Sequence, residues 1–158
     1  MSSFKWIGLL LATSLSMCST NQNEKMMQVA HPNGLLLNLP QSLSVEQTSF
    51  GFRVRPQGYQ ELRSSPEIIV TLYANRQQPE GEWPQVRQID GRTVHYRVEK
   101  EAGGSGGDIH VLSAWEAYPN GYIFFRGDFQ VEAPAKPDFT LGWIAIKGAK
   151  APGLEKRY

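Results

Sequence analysis

Two alternating runs of side chains on either side of an Asn-Gly pair constrain the fold of this chain more than any other feature. Residues 108–118 and 122–131 have the pattern of extended strands, and Pro119-Asn120-Gly121 stands between them. A two-residue turn that joins antiparallel strands needs positive φ angles, which Asn and Gly adopt at low cost. The sequence therefore predicts a long β-hairpin here.

Shorter strand-like segments and a second hairpin precede this one, at residues 35–39, 45–54, 68–73 and 86–99. In the second segment, Phe50 is expected to share a face with Phe52 and Val54, because alternate side chains of a strand point the same way. The second hairpin turns at Asp90-Gly91, where glycine accepts the positive φ. These segments predict a mainly β fold, either an antiparallel β-sandwich or a strongly twisted sheet of about seven or more strands.

The C-terminal segment leaves two structures open. Pro134 and Pro137 interrupt the strand pattern, and Asp138 is suited to cap a short helix that includes Leu141. Residues 143–146 are also rich in side chains that favour strands, so an edge strand is the alternative. The pattern favours one short C-terminal helix.

The first 17 residues resemble a bacterial signal peptide. Lys5 supplies a positive charge, and residues 6–15 form an apolar run that is shorter than the roughly 20 residues needed to span a membrane. Cys18 is the only cysteine and ends the motif Leu-Ser-Met-Cys, which resembles the lipobox where lipoproteins are cleaved and acylated. Met17 departs from that pattern, in which a small residue is usual. An ordinary signal peptide with an incidental cysteine is the alternative.

The predicted organisation has three parts: residues 1–17 as a lipoprotein signal peptide, residues 18–30 as a lipidated flexible tether, and residues 31–158 as a single β-rich domain. By resemblance to the usual sorting pattern, Ser19 places such a lipoprotein at the outer membrane, with the domain anchored in the periplasm at the inner leaflet. The chain has 16 basic and 15 acidic residues, a balance that gives no electrostatic case for nucleic acid as a partner. Contact with the membrane would come from the lipid.

No constellation of residues supports catalysis. Gly103-Gly104-Ser105-Gly106-Gly107, followed by Asp108 and His110, matches the letters of a hydrolase nucleophile elbow. An elbow needs a buried strand before the serine and a helix after it, whereas a charged stretch and a strand flank this one. The three histidines also lack the spacing of metal ligands. We therefore expect a binding protein that is not an enzyme and uses no cofactor or metal; a hydrolase that uses Ser105 is the enzymatic alternative.

Aromatic side chains and the glycine-rich loop are the candidate partner-binding residues. Trp83 lies in a loop, where it either contacts a partner or forms a lid over one end of the domain. Tyr118 flanks the Asn-Gly turn, and Trp115 is expected in the core. The loop Gly103–Gly107 lacks side-chain bulk and can enter a narrow cleft, where Asp108 would add a hydrogen-bonding group. This loop is therefore predicted to plug the active site of another protein.

From His31 onward the chain resembles a known family of proteins. The likeness rests on His31-Pro32-Asn33-Gly34 before Leu37-Asn38-Leu39-Pro40, on Gly51-Phe52-Arg53-Val54, on Asp90-Gly91-Arg92 with Tyr96, and on the glycine loop before a strand. Behind a lipobox, this arrangement is similar to the periplasmic immunity lipoproteins of type VI secretion systems, among them one that neutralises a peptidoglycan-degrading muramidase. The resemblance implies a cognate toxin bound one-to-one in the periplasm, with its catalytic groove blocked. In that family the calcium belongs to the muramidase.

The sequence supports two functions of different classes. The first is an immunity protein that binds and sterically inhibits a cognate secreted muramidase-type effector. The alternative is an envelope lipoprotein that acts as a structural or assembly subunit, whose stable partner would be envelope machinery.

Overall fold

Hydrogen bonds between neighbouring strands divide the domain into two antiparallel sheets. The computed structural model describes residues 24–58, 66–101, 107–132 and 134–155. The strands are β1 (Met26–Ala30), β2 (Leu36–Pro40), β3 (Leu43–Gln47), β4 (Gly51–Pro56), β5 (Glu67–Ala74), β6 (Gln85–Ile89), β7 (Arg92–Glu101), β8 (Asp108–Tyr118), β9 (Gly121–Val131) and β10 (Ala149–Lys150), and the helices are α1 (Thr140–Gly148) and α2 (Pro152–Glu155). The predicted mainly β class is confirmed.

The larger sheet has seven strands in the order β3-β4-β5-β9-β8-β7-β6, and the smaller sheet has the order β1-β2-β10. The predicted signal peptide, Cys18 and residues Gly103–Gly106 lie outside the described residues. Within the described ranges, no helix is both long and apolar enough to cross a membrane.

Both predicted hairpins are confirmed, although the two residues at the first turn are Pro119 and Asn120 and not the Asn-Gly pair. Tyr118 pairs with Gly121 across Pro119-Asn120, and Ile89 pairs with Arg92 across Asp90-Gly91. Asp90 and Gly91 have φ angles of 49° and 78°, the left-handed values that a two-residue turn between twisted strands needs. Residues 143–146 lie within α1, so the helix is the correct alternative for the C-terminal segment.

Two boundaries drawn from the sequence are wrong. Residues 45–54 form two strands, β3 and β4, because the chain turns at Thr48, whose N–H donates to the carbonyl of Gly51 over 2.9 Å. The turn takes Phe50 off the face shared by Phe52 and Val54, and its side chain is 69% exposed. Residues 26–30, assigned to the flexible tether, form β1 instead, because β2 offers a partner whose register runs from Met26↔Pro40 to Ala30↔Leu36.

The hydrophobic core lies between the seven-stranded sheet and a layer made of α1 and the small sheet. Val70, Ile123 and Phe125 of the large sheet are fully buried in this core, together with Leu37 of β2 and Ile146 of α1. Side chains alternate across a strand, so the neighbouring residues point to the opposite side of the large sheet. We call that side the open face.

Hydrogen bonds tie the start of the described chain to one end of the large sheet. The N–H of Gln41 donates to the carbonyl of Lys25 over 2.8 Å, and the N–H of Gln57 donates to the carbonyl of Ser42 over 3.0 Å. The Ser42 hydroxyl also donates to the Glu24 carboxylate over 2.5 Å. We call this the proximal end. The register of the sheet places the end of β7 and the start of β8 there as well.

The opposite end of the sheet is formed by turns. The Asn33 side-chain amide donates to the carbonyl of Phe50 over 3.0 Å, which joins the β1–β2 turn to the β3–β4 turn. The N–H of Asn75 donates to the carbonyl of Asn120 over 2.8 Å, which joins the end of β5 to the β8–β9 turn. We call this the distal end. The start of the described chain and the hydrogen-bonded turns of the distal end therefore lie at opposite ends of the strands.

Candidate functional site

Trp83 lies against the open face and covers part of it. Its ring meets those of Trp115 and Phe124 edge to face, with centroids 6.4 and 6.1 Å apart. The guanidinium of Arg97 lies 4.6 Å from the centroid of the same ring. Edge-to-face pairs and cation–π contacts each stabilise by about 0.5–1.5 kcal/mol. Of the two predicted roles for Trp83, this packing favours the lid, which lies over the open face and not over one end of the domain.

Other aromatic rings fill the open face around this lid. His95 stacks on Trp115 at 4.7 Å, and Tyr73 stacks on Tyr122 at 4.9 Å. Trp115 is only 6% exposed. It is buried as the sequence suggested, but outside the main core, because its register partners His95 and Phe124 lie on the open face. These rings make a second small core that stiffens the sheet from its outer side.

The remainder of the open face carries ion pairs. Glu67 accepts from Arg55 at 2.9 Å and lies 3.7 Å from Arg53, while Arg126 lies 3.6 Å from Glu101 and 3.7 Å from Asp128. Pairs exposed to water in this way contribute about 0–1 kcal/mol each. Among the described residues, no group of His, Cys, Asp or Glu side chains could hold a metal ion.

Tyr118 lies on the face opposite Trp83, so these two candidate partner-binding residues do not share one surface. Tyr118 packs against the main core, beside Glu116 and Arg92. Burial, together with the charge and hydrogen bond of Glu116, raises the pKa of the Tyr118 hydroxyl to about 12, although Arg92 partly opposes this shift. The hydroxyl is therefore held as a proton donor at the edge of the core.

We expect this environment to make stability fall at alkaline pH. In the unfolded chain Tyr118 ionises near pH 10, while in the folded chain its pKa is about 12. Between these values the folded state holds a proton that the unfolded state has lost, so stability decreases as the pH rises from 10 to 12. Urea unfolding at pH 9 and pH 11.5 measures this loss. Tyr118→Phe should reduce it, and an identical pH dependence in the variant would contradict the assignment.

The predicted glycine loop joins two strands that end at the proximal end. β6 pairs with β7 only as far as Tyr96, so residues 97–101 of β7 extend beyond it. Gly107 has a φ of +103° and lies against the backbone of Val131, where a Cβ would collide. The Asp108 carboxylate lies 2.6 Å from the Lys100 ammonium. Asp108 is ten residues from Tyr118 along one strand, about 33 Å away, so the candidates do not form one site.

The β3–β4 turn presents a residue that the sequence analysis assigned to a strand face. Phe50 is 69% exposed, the largest value among the exposed large hydrophobic residues of the described chain. Its carbonyl accepts from the Asn33 side chain at 3.0 Å and from the Leu72 N–H at 3.1 Å. An exposed ring on a fixed backbone has the character of a binding anchor. Polar Thr48 and Ser49 before Gly51 were the available signal for a turn.

The side chain of His31 fixes the β3–β4 turn through hydrogen bonds. Its Nε2 donates to the carbonyl of Thr48 over 2.9 Å, and its Nδ1 accepts from the N–H of Asn33 over 3.2 Å. Since Nδ1 is an acceptor, these partners assign the proton to Nε2. The ring edge also packs on Phe52, with centroids 5.4 Å apart. His31 is thus a buried structural histidine that fixes the position of Phe50.

Comparison with known proteins gives this arrangement a family. The model of the type six secretion immunity 3 domain matches residues 36–150. The chain belongs to this family. It is also 30% identical to the immune protein Tsi3 of Pseudomonas aeruginosa over 150 aligned residues. The alignment covers 92% of this chain and 98% of Tsi3. The resemblance to type VI secretion immunity proteins that the sequence indicated is confirmed.

A solved structure supports the fold alone. A protein of Bacteroides thetaiotaomicron superposes with a TM-score of 0.54 at 11% identity, over 83% of this chain. The present chain spans half the length of that protein. At this identity the likeness carries no information about function, which rests on membership of the immunity family.

Membership of a type VI secretion immunity family means that the functional surface binds a cognate effector protein. The matched residues 36–150 contain the Phe50 turn, the open face and the strands that flank the glycine loop. Two surfaces are candidates for such contact: the ends of β7 and β8 at the proximal end, which we call the β7–β8 tip, and the Phe50 turn at the distal end.

Proposed function

We propose that this chain neutralises a muramidase-type effector in the periplasm, by binding it and blocking access to its catalytic groove. The observation that carries the proposal is the match to an immune protein over 98% of that protein's length. Resemblance to an immunity lipoprotein that acts on a peptidoglycan-degrading muramidase narrows the effector class. A block of this kind needs a rigid surface, and the two packed faces of the large sheet supply one.

The surroundings of Asp108 argue against a role in hydrolysis. A catalytic triad needs its carboxylate to orient the histidine, but the Asp108 carboxylate lies 2.6 Å from Lys100. The register also pairs Lys100 with His110, so the neighbouring strand contributes an ammonium group at the position of the predicted histidine. We infer that this region is a hairpin end and that inhibition is steric.

We further propose that Cys18 carries an acyl anchor that holds the domain at the periplasmic side of the outer membrane. The support is the apolar run before Cys18 and the lipobox-like motif that ends with it. Anchoring would keep the inhibitor close to the peptidoglycan that the effector attacks. The one free thiol of the chain would then be converted to a thioether, which cannot form unwanted disulfides.

The test combines residues 24–158 with the purified type VI effector exported by the same cells. Turbidity of a peptidoglycan suspension measures muramidase activity, and we expect the clearing rate to fall to background at an equimolar ratio. Ser105→Ala should inhibit equally well, which separates steric inhibition from hydrolysis of the effector. In cells, Cys18→Ser should move the full-length chain from the membrane to the soluble fraction. Full muramidase activity in the presence of excess chain would contradict the proposal, and stable capture of envelope machinery would favour the assembly alternative.

A further inference from the structure

We propose that the distal end of the domain, with Phe50 as its anchor, is the surface that binds the cognate effector. The inference rests on the proposed immunity function and on the proposed acyl anchor at Cys18. Three observations carry it: the short distance in sequence between Cys18 and Glu24, the way in which Phe50 is held, and the residues that surround it.

The proposed acyl anchor at Cys18 would place the proximal end next to the membrane. Glu24 is fixed at that end by its hydrogen bond from Ser42, and Cys18 precedes it by six residues. Six residues span at most about 22 Å when fully extended. A small globular domain is about 30 Å across. The space between an anchored proximal end and the membrane is therefore too narrow for an effector enzyme to enter.

The distal end faces the opposite way. Gln57 lies seven positions after Phe50, at the other end of β4, which corresponds to about 23 Å along the strand. This length adds to that of the tether, so a partner that approaches from the periplasm meets the distal turns first. The proposed acyl anchor and the strand direction together favour the distal end as the surface that meets the effector.

Phe50 has the properties of an anchor residue. Its side chain is 69% exposed, while its backbone is fixed by the Asn33 amide and the Leu72 N–H. His31 holds the preceding Thr48 carbonyl. Because the backbone is already positioned, little backbone entropy is lost on binding, and more of the area that Phe50 buries contributes to affinity. Aromatic residues are enriched at the centres of protein interfaces.

The exposed residues on the same end as Phe50 are mostly polar. The exposed neighbours on the distal turns and strand ends are Pro32, Asn33, Ser49, Ala74, Asn75 and Arg76. A central aromatic residue surrounded by polar groups that exclude water is the usual arrangement of an interface hot spot. The partner surface is therefore expected to contain an apolar pocket that receives the Phe50 ring, lined at its edge by hydrogen-bonding groups.

The test measures the affinity of the purified effector for residues 24–158 by calorimetry. We expect Phe50→Ala to weaken binding by about 30-fold, the loss typical of a hot spot. Two controls change the proximal end: Met26→Ala removes an apolar side chain that is 48% exposed, and Asp108→Ala removes the carboxylate of the predicted plug. Both should stay within about twofold of the unmodified chain. Thermal unfolding confirms that the variants fold.

The outcomes separate this inference from the proposed function. A large loss for Asp108→Ala with none for Phe50→Ala would overturn the inference and return the contact to the β7–β8 tip. Equal affinity in all variants would also overturn it. If the effector binds but keeps its muramidase activity, the proposed inhibition fails, while the comparison of Phe50→Ala with the controls still decides which end makes the contact.

Discussion

Replacement of Arg92 by alanine is expected to lower the free energy of unfolding by about 3–5 kcal/mol. The Arg92 guanidinium lies 2.7 Å from the Glu116 carboxylate, and the side chain of Glu116 is only 5% exposed. The substitution would remove the guanidinium from beside this carboxylate, which lies at the edge of the core. Loss of one partner from a buried ion pair costs more than the pair itself contributes, because the remaining charge has already given up its hydration.

Arg92 also closes the end of α1. Its guanidinium donates to the carbonyls of Lys147 over 2.9 Å, Ala149 over 2.8 Å and Ile146 over 3.3 Å. The last carbonyls of a helix have no partner within the helix, and a cation there is favourable for the helix dipole. One side chain at the start of β7 therefore fixes α1 and β10 to the large sheet.

The comparison of three variants isolates these contributions. Arg92→Lys keeps the charge but cannot donate in several directions at once, so we expect it to recover only part of the lost stability. The double variant Arg92→Met, Glu116→Gln removes both charges and should be more stable than Arg92→Ala. Urea unfolding measures all three. A loss below about 1 kcal/mol for Arg92→Ala would show that the ion pair is hydrated and that the helix end needs no partner.

The strands of the large sheet could be predicted from the sequence where short-range chemistry decides the structure. Asp90-Gly91 favours a turn by its own φ preferences, Pro119 and Asn120 are common turn residues, and each turn then sets the register of the two strands beside it. β8 was predicted with its observed limits, Asp108–Tyr118. In each case the deciding residues lie within a few positions of the strands that they join.

The role of Arg92 could not be predicted, because its partners are distant in the sequence. The carbonyls that it binds come from residues 54 to 57 positions away. An arginine directly after a turn normally reads as an exposed charge. The resemblance to the immunity family included Asp90-Gly91-Arg92, but the chemical role of that arginine became visible only when the structure placed the C-terminus of α1 beside it.

The candidate site could be predicted only in part, because the sequence does not show which face of a strand is covered. Alternation shows that two sets of side chains point in opposite directions, but it does not show which set is covered when both are apolar. On β9, Phe124 and Phe125 are equally hydrophobic, and the position of α1 decides between them. Phe50 was misassigned because its segment continues the alternation of Phe52 and Val54 through a turn.

Phe124 and Phe125 allow a matched comparison of the open face with the main core. Phe125 is fully buried in the main core, so Phe125→Ala is expected to lower the free energy of unfolding by about 3–5 kcal/mol through lost transfer energy and a residual cavity. Phe124 is half-buried on the open face, where its ring meets Trp83 at 6.1 Å. Phe124→Ala should cost about half as much, because part of that ring is already in contact with water.

Urea unfolding of both variants, with an unchanged m-value, measures the difference directly. Adjacent positions on one strand share backbone, sequence context and residue type, so a difference in stability must come from what lies above each face. Equal losses would mean that the aromatic rings around Trp83 form a second core as tight as the first. The lid of Trp83 would then be a principal source of stability, and the Phe50 turn would be supported by two cores, one on each side of the sheet.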